Sequence, residues 1–173
     1  MPPGSVVLVL GGTRSGKSRE AQELAQARAG PLVAFIATAR RGEDRDFDRR
    51  IERHRASRRA DWQTIEGADD LVIAIQAVDP RRLLLIDSLA LWVAAVLERG
   101  ATIDATWPRL EHALRSRVAG VVLVSDEVGL GPIARTALGR RFVDALGEAN
   151  QRAAAMADEV CFVTAGLAQR LKP

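Results

Sequence analysis

Cysteine, histidine, lysine and aromatic residues are all scarce in this chain of 173 residues. The single cysteine, Cys161, excludes an internal disulfide and points to a reducing compartment, so the cytoplasm is the expected location. There are two histidines, His54 and His112. No cysteine or second histidine stands at ligand spacing from His54, which argues against a zinc site there. Aromatics make up 4% of residues, the formal net charge is only +3, and acids are interleaved with bases throughout. A nucleic-acid surface needs a basic stripe and stacking aromatics, so no nucleic-acid partner is expected. The longest apolar runs, VVLVL at 6–10 and LLLID at 83–87, fall far short of the ~20 residues that span a bilayer. The start, MPPGSVVLVLGG, lacks the charged region and long apolar stretch of a signal peptide.

Hydrophobic residues make up 47% of the chain, enough for a globular core, and one domain over 1–173 is expected. Lys17 and Lys172 are the only lysines, so the positive charge is almost all arginine. Such clustered guanidinium groups suit an anionic small molecule. Apolar runs at 6–10, 32–38, 82–87, 120–127 and 159–165 read as buried strands, the last of these as the final strand. DWQTIE (61–66) alternates as a short strand does. Helical spacing covers 16–28, 43–57, 68–77, 88–98, 107–118 and 137–157, with 99–106 read as a loop. In the first helix Ala21, Leu24, Ala25 and Arg28 share one side. Strands alternating with helices predict an α/β fold, a mostly parallel sheet covered on both faces. Ligands of such sheets bind beyond the carboxyl ends of the strands. Gly11, Thr38, Asp87 and Asp126 all follow strand ends.

Residues 11–18 read GGTRSGKS, a fit to G-x-x-x-x-G-K-S between a predicted strand and a predicted helix. Glycines turn backbone N–H groups inward around phosphate oxygens, and the helix start adds its positive dipole end. The candidate phosphate cradle is Gly11, Gly12, Thr13, Arg14, Ser15, Gly16, Lys17 and Ser18. Lys17 reaches terminal phosphates, and Ser18 and Asp87, at the end of RLLLID, are the expected Mg²⁺ ligands. Asp87 also suits a helix boundary, where Ser88 can cap the next helix. The chain is a P-loop nucleotide-binding protein on this reading. The N-K-x-D signature of guanine-specific GTPases is absent.

RRIERHRASRRADWQTIE (49–66) sets His54 among Arg53, Arg55, Arg58 and Arg59. Two readings stand. His54 shares a helical stripe with Phe47 and Ile51, which makes it a packing residue. Alternatively the arginines hold a polyphosphate beside the ring. Neighbouring cations favour the neutral, nucleophilic imidazole and stabilise charge on phosphoryl oxygens. His112 lies mid-helix beside Arg115 and reads as a surface residue, and Cys161 as an inert core thiol.

Taken in order, GGTRSGKS, IAT, H-R-x-x-R-R-x-x-W-x-T-x-E, IDSLALW, DEVGLG and LGRRFVDALGEANQRAAAMADEV resemble the bifunctional adenosylcobinamide kinase / adenosylcobinamide-phosphate guanylyltransferase family. The resemblance runs over nearly the whole chain. It implies a RecA-like P-loop NTPase fold, a homotrimer, and two reactions in cobalamin assembly. A nucleoside triphosphate, ATP or GTP, phosphorylates adenosylcobinamide. A histidine, matched here by His54, then takes GMP from GTP and passes it to adenosylcobinamide phosphate. By the same resemblance the nucleotide-binding set extends to Thr38, Ala39, Arg40, Arg55, Ala56, Ser57, Arg58, Glu66 and Asp87. This chain departs from the family pattern at Asp126, where NEVG is usual, at Pro132–Arg135, and at Ser88, where Cys is common. The competing function classes are a monofunctional P-loop small-molecule kinase and a non-catalytic nucleotide-binding subunit. Helix 137–157 is expected to serve packing or subunit contact.

Overall fold

A computed structural model describes residues 4–39, 59–66 and 70–173. The helix expected over 43–57 lies outside the described residues, as do Arg40, His54, Arg55, Ala56, Ser57 and Arg58. In chain order the elements are β1 Val6–Gly11, α1 Lys17–Ala29, β2 Val33–Ala37, β3 Gln63–Glu66, α2 Leu71–Ala77, β4 Leu83–Asp87, α3 Leu89–Glu98, α4 Ile103–Arg115, β5 Val121–Asp126, α5 Ala137–Met156, β6 Glu159–Thr164 and β7 Leu167–Lys172.

The strands form one sheet in the order β3-β2-β4-β5-β1-β6-β7. Every pairing is parallel except β6 with β7. Strands β1, β2 and β5 are apolar runs with no polar alternation because both faces of the sheet are covered. On one face Val6, Leu8, Leu10, Leu84, Ile86 and Leu123 meet the apolar sides of α2, α3, α4 and α5. On the other, Val7, Val9, Phe35, Leu85, Val122 and Val124 meet Ala21 and Ala25 of α1 and the ring of Trp62. Small alanines let α1 lie close to the sheet, and the Trp62 Nε1–H donates to the Gly30 carbonyl at 3.0 Å. Arg28, from the same predicted side of α1, donates from one nitrogen, Nη2, to both carboxylate oxygens of Glu159 at 2.9 Å. No described helix is long and apolar enough to cross a membrane.

Three expectations are corrected. The sheet does not end at 159–165: β7 returns antiparallel to β6 through a turn at Ala165 and Gly166, both at positive φ. Five of the six β7 residues are exposed, so the strand carries no apolar run that marks it. The loop read at 99–106 is already helical from Ile103, because the Thr102 hydroxyl accepts from the Ala105 N–H and caps α4 five residues before Trp107. That helix stops at Arg115 rather than at 118. Arg117 leaves it to donate to the carbonyls of Ile75, Val78, Asp79 and Arg82.

Arg117 is 6% exposed, and it ties the α2–β4 connection to the start of β5. Burial pushes its guanidinium below the ordinary value while nearby Asp79 raises it, yet a guanidinium stays charged at any physiological pH. Four carbonyls stand in for the carboxylate partner that buried arginines usually take. Arg117→Ala strands those acceptors and is expected to cost about 3 kcal/mol. Arg117→Lys restores one compact donor group in place of a fork and recovers only part of the loss. Urea titrations of the three proteins check this order.

Candidate active site

The site begins where β1 ends. Gly11 is buried, and a Cβ there would sit 2.4 Å from Ser15 Oγ and 2.5 Å from the Val163 carbonyl oxygen. Only glycine fits so close an approach. Beyond it the loop curls through Arg14 at φ 59° and Gly16 at φ 99°. Its closing bonds are the Ser15 N–H to the Gly12 carbonyl at 3.2 Å and the Lys17 N–H to Ser15 Oγ at 3.3 Å. Thr13 and Arg14 are exposed on the outer side. Helix α1 opens at Lys17 without a side-chain cap on Gly16. First-turn N–H groups have no intrahelical partner; that of Lys17 goes to Ser15 Oγ, and the helix start as a whole suits an anion.

Lys17 is 7% exposed, an unusual degree of burial for lysine. Its Nζ donates to the Gly12 carbonyl at 3.2 Å and pairs with Asp126 Oδ1 at 2.7 Å. Asp126 stands opposite because β1 and β5 are in parallel register, Gly11 beside Asp126. The Glu127 N–H donates to the Gly11 carbonyl at 3.0 Å and continues that pairing past the strand end.

The neighbouring strand ends bring further predicted residues to the same carboxyl edge. Ala37 of β2 lies between Asp87 of β4 and Glu66 of β3 in register. Thr38 follows directly, and its hydroxyl donates to the Ser88 carbonyl and accepts from the Ser88 N–H, both at 2.8 Å. The Thr38 N–H donates to the Asp87 carbonyl at 3.1 Å. Thr38 thus spends its hydroxyl on the turn that carries Asp87, and Ala39 follows it, half-buried. Ser88 occupies the N-cap of α3, but its side chain makes no capping bond, contrary to the expected cap. Ser18 in the first turn of α1 and Asp87 supply a hydroxyl and a carboxylate, both hard oxygen donors. That donor set fits Mg²⁺, which completes its shell with phosphate and water. His112 is exposed, as read from its helix position. Cys161 is half-buried rather than in the core, and burial pushes its thiol above the ordinary value, which leaves little thiolate.

Three residues at the site have roles that the sequence alone does not show. Asp126 is the lysine's partner. Asn150, on α5, is buried, accepts from Ser125 Oγ at 2.6 Å and donates to the Asp126 carbonyl at 3.0 Å. Helix α5 therefore fixes the end of β5 as well as packing on it. Gly166 donates its N–H to the Ser15 carbonyl at 2.8 Å, so the β6–β7 turn buttresses the loop. No Asn-Gly or Asp-Gly pair marks that turn in the sequence, which reads Ala165-Gly166.

The two leading glycines differ sharply in their surroundings. Gly12 has nothing within 4 Å of an added Cβ. Gly11→Ala is expected to lower the melting temperature by about 5–10 °C, while Gly12→Ala leaves it within about 1 °C. Calorimetry of the nucleotide-free proteins checks the contrast.

Comparison with known proteins agrees in fold and family. Among solved structures, a KaiC-like protein from Pyrococcus horikoshii superposes with a TM-score of 0.57 at 19% identity, covering 94% of this chain and 72% of that one. The flagellar accessory protein FlaH of Methanocaldococcus jannaschii gives 0.58 at 15%, covering 99% and 80%. At such identities they speak for the P-loop NTPase fold alone. Curated relatives are closer. The bifunctional adenosylcobalamin biosynthesis protein CobP of Pseudomonas aeruginosa is 40% identical over 168 residues, 95% of this chain and 96% of that protein. The bifunctional adenosylcobalamin biosynthesis proteins CobU of Salmonella typhimurium and Escherichia coli are 37% and 33% identical, each covering 96% of this chain and 99% of the relative. The family model for cobinamide kinase / cobinamide phosphate guanyltransferase matches residues 7–171. This chain, with its phosphate loop closed around Lys17 at the carboxyl edge of a parallel sheet, belongs to the cobinamide kinase / cobinamide phosphate guanyltransferase family.

Proposed function

We propose that this chain, as one domain over 1–173, phosphorylates adenosylcobinamide and then converts the product to adenosylcobinamide-GDP through a guanylyl-His54 intermediate. The observation that carries the reading is the buried Lys17 ammonium, set in a preformed phosphate loop within a family of that double activity. In the first reaction the aminopropanol hydroxyl oxygen attacks the γ-phosphorus of ATP or GTP. The bond from that phosphorus to the β–γ bridging oxygen breaks, the hydroxyl proton is lost, and a nucleoside diphosphate leaves. Lys17 neutralises the phosphate oxygens, and the loop N–H groups orient them. Ser18 and Asp87 would hold Mg²⁺, which when bound offsets charge on the phosphates.

In the second reaction a ring nitrogen of His54 attacks the α-phosphorus of GTP and pyrophosphate leaves. A phosphate oxygen of adenosylcobinamide phosphate then attacks that phosphorus, the P–N bond breaks and His54 is regenerated. Two inversions give net retention at phosphorus. Arg55, Arg58 and Arg40 are the cations for the polyphosphate, with Ala56, Ser57 and Ala39 beside them. Glu66, which ends β3, is the proposed acceptor for a guanine edge or ribose hydroxyl. The proposed assembly is a homotrimer and the proposed compartment the cytoplasm.

Incubation with α-labelled GTP and Mg²⁺ is expected to leave an acid-labile, base-stable label on the wild type and none on His54→Ala. A wild-type protein that takes no label overturns the guanylyl-enzyme and leaves a simple kinase. Lys17→Ala is expected to lower kcat/KM about 10²- to 10³-fold in both half-reactions, as loss of one charge-stabilising donor does elsewhere. His54→Ala spares the kinase step. Equal loss of both activities in His54→Ala would sink the division of labour.

A further inference from the structure

The sheet register places a carboxylate where a phosphate must come. Lys17 Nζ lies 2.7 Å from Asp126 Oδ1, with side-chain exposures of 9% and 23%. The pair is shielded enough that salt screens it only partly. The same ammonium is the group that must meet the terminal phosphates of a bound nucleotide. One positive charge cannot neutralise both anions, and a polyphosphate beside a carboxylate is repelled by it. The strand end that carries the carboxylate is fixed. Asp126 ends β5, its carbonyl accepts from Asn150, and the following N–H is bonded to Gly11. Asn150 is itself locked by Ser125, which is 0% exposed.

We infer that Asp126 is the resident counter-ion of Lys17, and that nucleotide binding is an exchange in which phosphate displaces this carboxylate from the lysine. The exchange has two consequences. The pair helps to hold the loop and keeps its buried ammonium from standing unpaired, which would be costly. The same pair opposes the incoming nucleotide, so the site binds less tightly than its donors alone would allow. Asn150 is the positioning residue, since it holds the strand end from which the carboxylate projects.

This inference rests on the reading that the loop binds a nucleotide, and its test separates the two. Fluorescence titration with mant-GDP, which has no γ-phosphoryl group to transfer, is made with Mg²⁺ and with EDTA. Asp126→Asn keeps the size of the side chain and removes its charge. The expected result is roughly three- to tenfold tighter binding than wild type in both buffers. A purely structural role for the ion pair gives the opposite sign, because a loosened loop binds worse. In the Lys17→Ala background the effect of Asp126→Asn is expected to shrink to less than about twofold, since the contested cation is gone. Unchanged or weaker binding by Asp126→Asn overturns the exchange. Weakening confined to the Mg²⁺ buffer overturns it by making Asp126 part of the metal site. No binding by the wild type overturns both this inference and the nucleotide reading beneath it.

Discussion

The pairing of β1 with β5 is the constraint on which the rest of the site depends. Its parallel register sets Gly11 beside Asp126 and so decides what Lys17 meets when it turns back over the loop. A shift of one residue would carry every side chain of β1 to the opposite face. Val7 and Val9 would exchange cores with Val6 and Leu8, between two layers packed to near-zero exposure. The hydrophobic effect acting on both faces therefore fixes a polar contact at the strand end. No polar group has to choose its partner, because the buried valines and leucines have chosen already.

The loop is held from three directions. From below, Gly11 abuts the Val163 carbonyl of β6. From the side, Gly166 in the β6–β7 turn donates to Ser15. From the lysine tip, Gly12 and Asp126 accept from Lys17. Strand β7 makes none of the core, yet it anchors this arrangement. Lys172 near its end donates to the carbonyls of Ala154 and Ala155 in the last turn of α5 and of Ala157, its C-cap. A cation at a helix C-terminus satisfies orphan acceptors and opposes the dipole's negative end. The only two lysines of the chain thus serve opposite ends of helices: Lys17 opens α1, and Lys172 closes α5.

The legible part of the fold was the part that local chemistry dictates. VVLVL followed by GGTRSGKS announces strand, loop and helix, since a doubly buried strand must be continuously apolar and a phosphate loop must be glycine-rich. The ends of LLLID and VVLVSD followed for the same reason. What stayed hidden was decided at a distance. LAQRLK is mostly exposed and alternates weakly, so only its pairing with β6 marks it as a strand. The early start of α4 was masked by Pro108, which reads as a first-turn residue but lies inside the helix that Thr102 caps. Asp126 looked like a substitution in a motif, and its meaning came only with the sheet order.

Asn150 shows why such residues resist a linear reading. In sequence it is one polar position inside LGEANQRAAAM, where Leu146, Ala149, Ala153 and Met156 give a packing face. An amide on that face would normally be a cost, as a buried polar group without partners destabilises by a few kcal/mol. Here it finds a hydroxyl on one side and a main-chain carbonyl on the other, both at the end of β5. Apolar contacts fix how the helix lies on the sheet, but they are non-directional and leave the strand end free to slide slightly. A hydrogen-bonded amide is directional. It converts a packed helix into a reference point for Asp126, and through Asp126 for the lysine. Among the described residues most buried polar groups, Ser15, Lys17, Thr38, Ser88, Ser125 and Asn150, gather at the carboxyl edge of the sheet, while Ser5 and Arg117 lie at its other edge; at the carboxyl edge position rather than burial decides what the protein can bind.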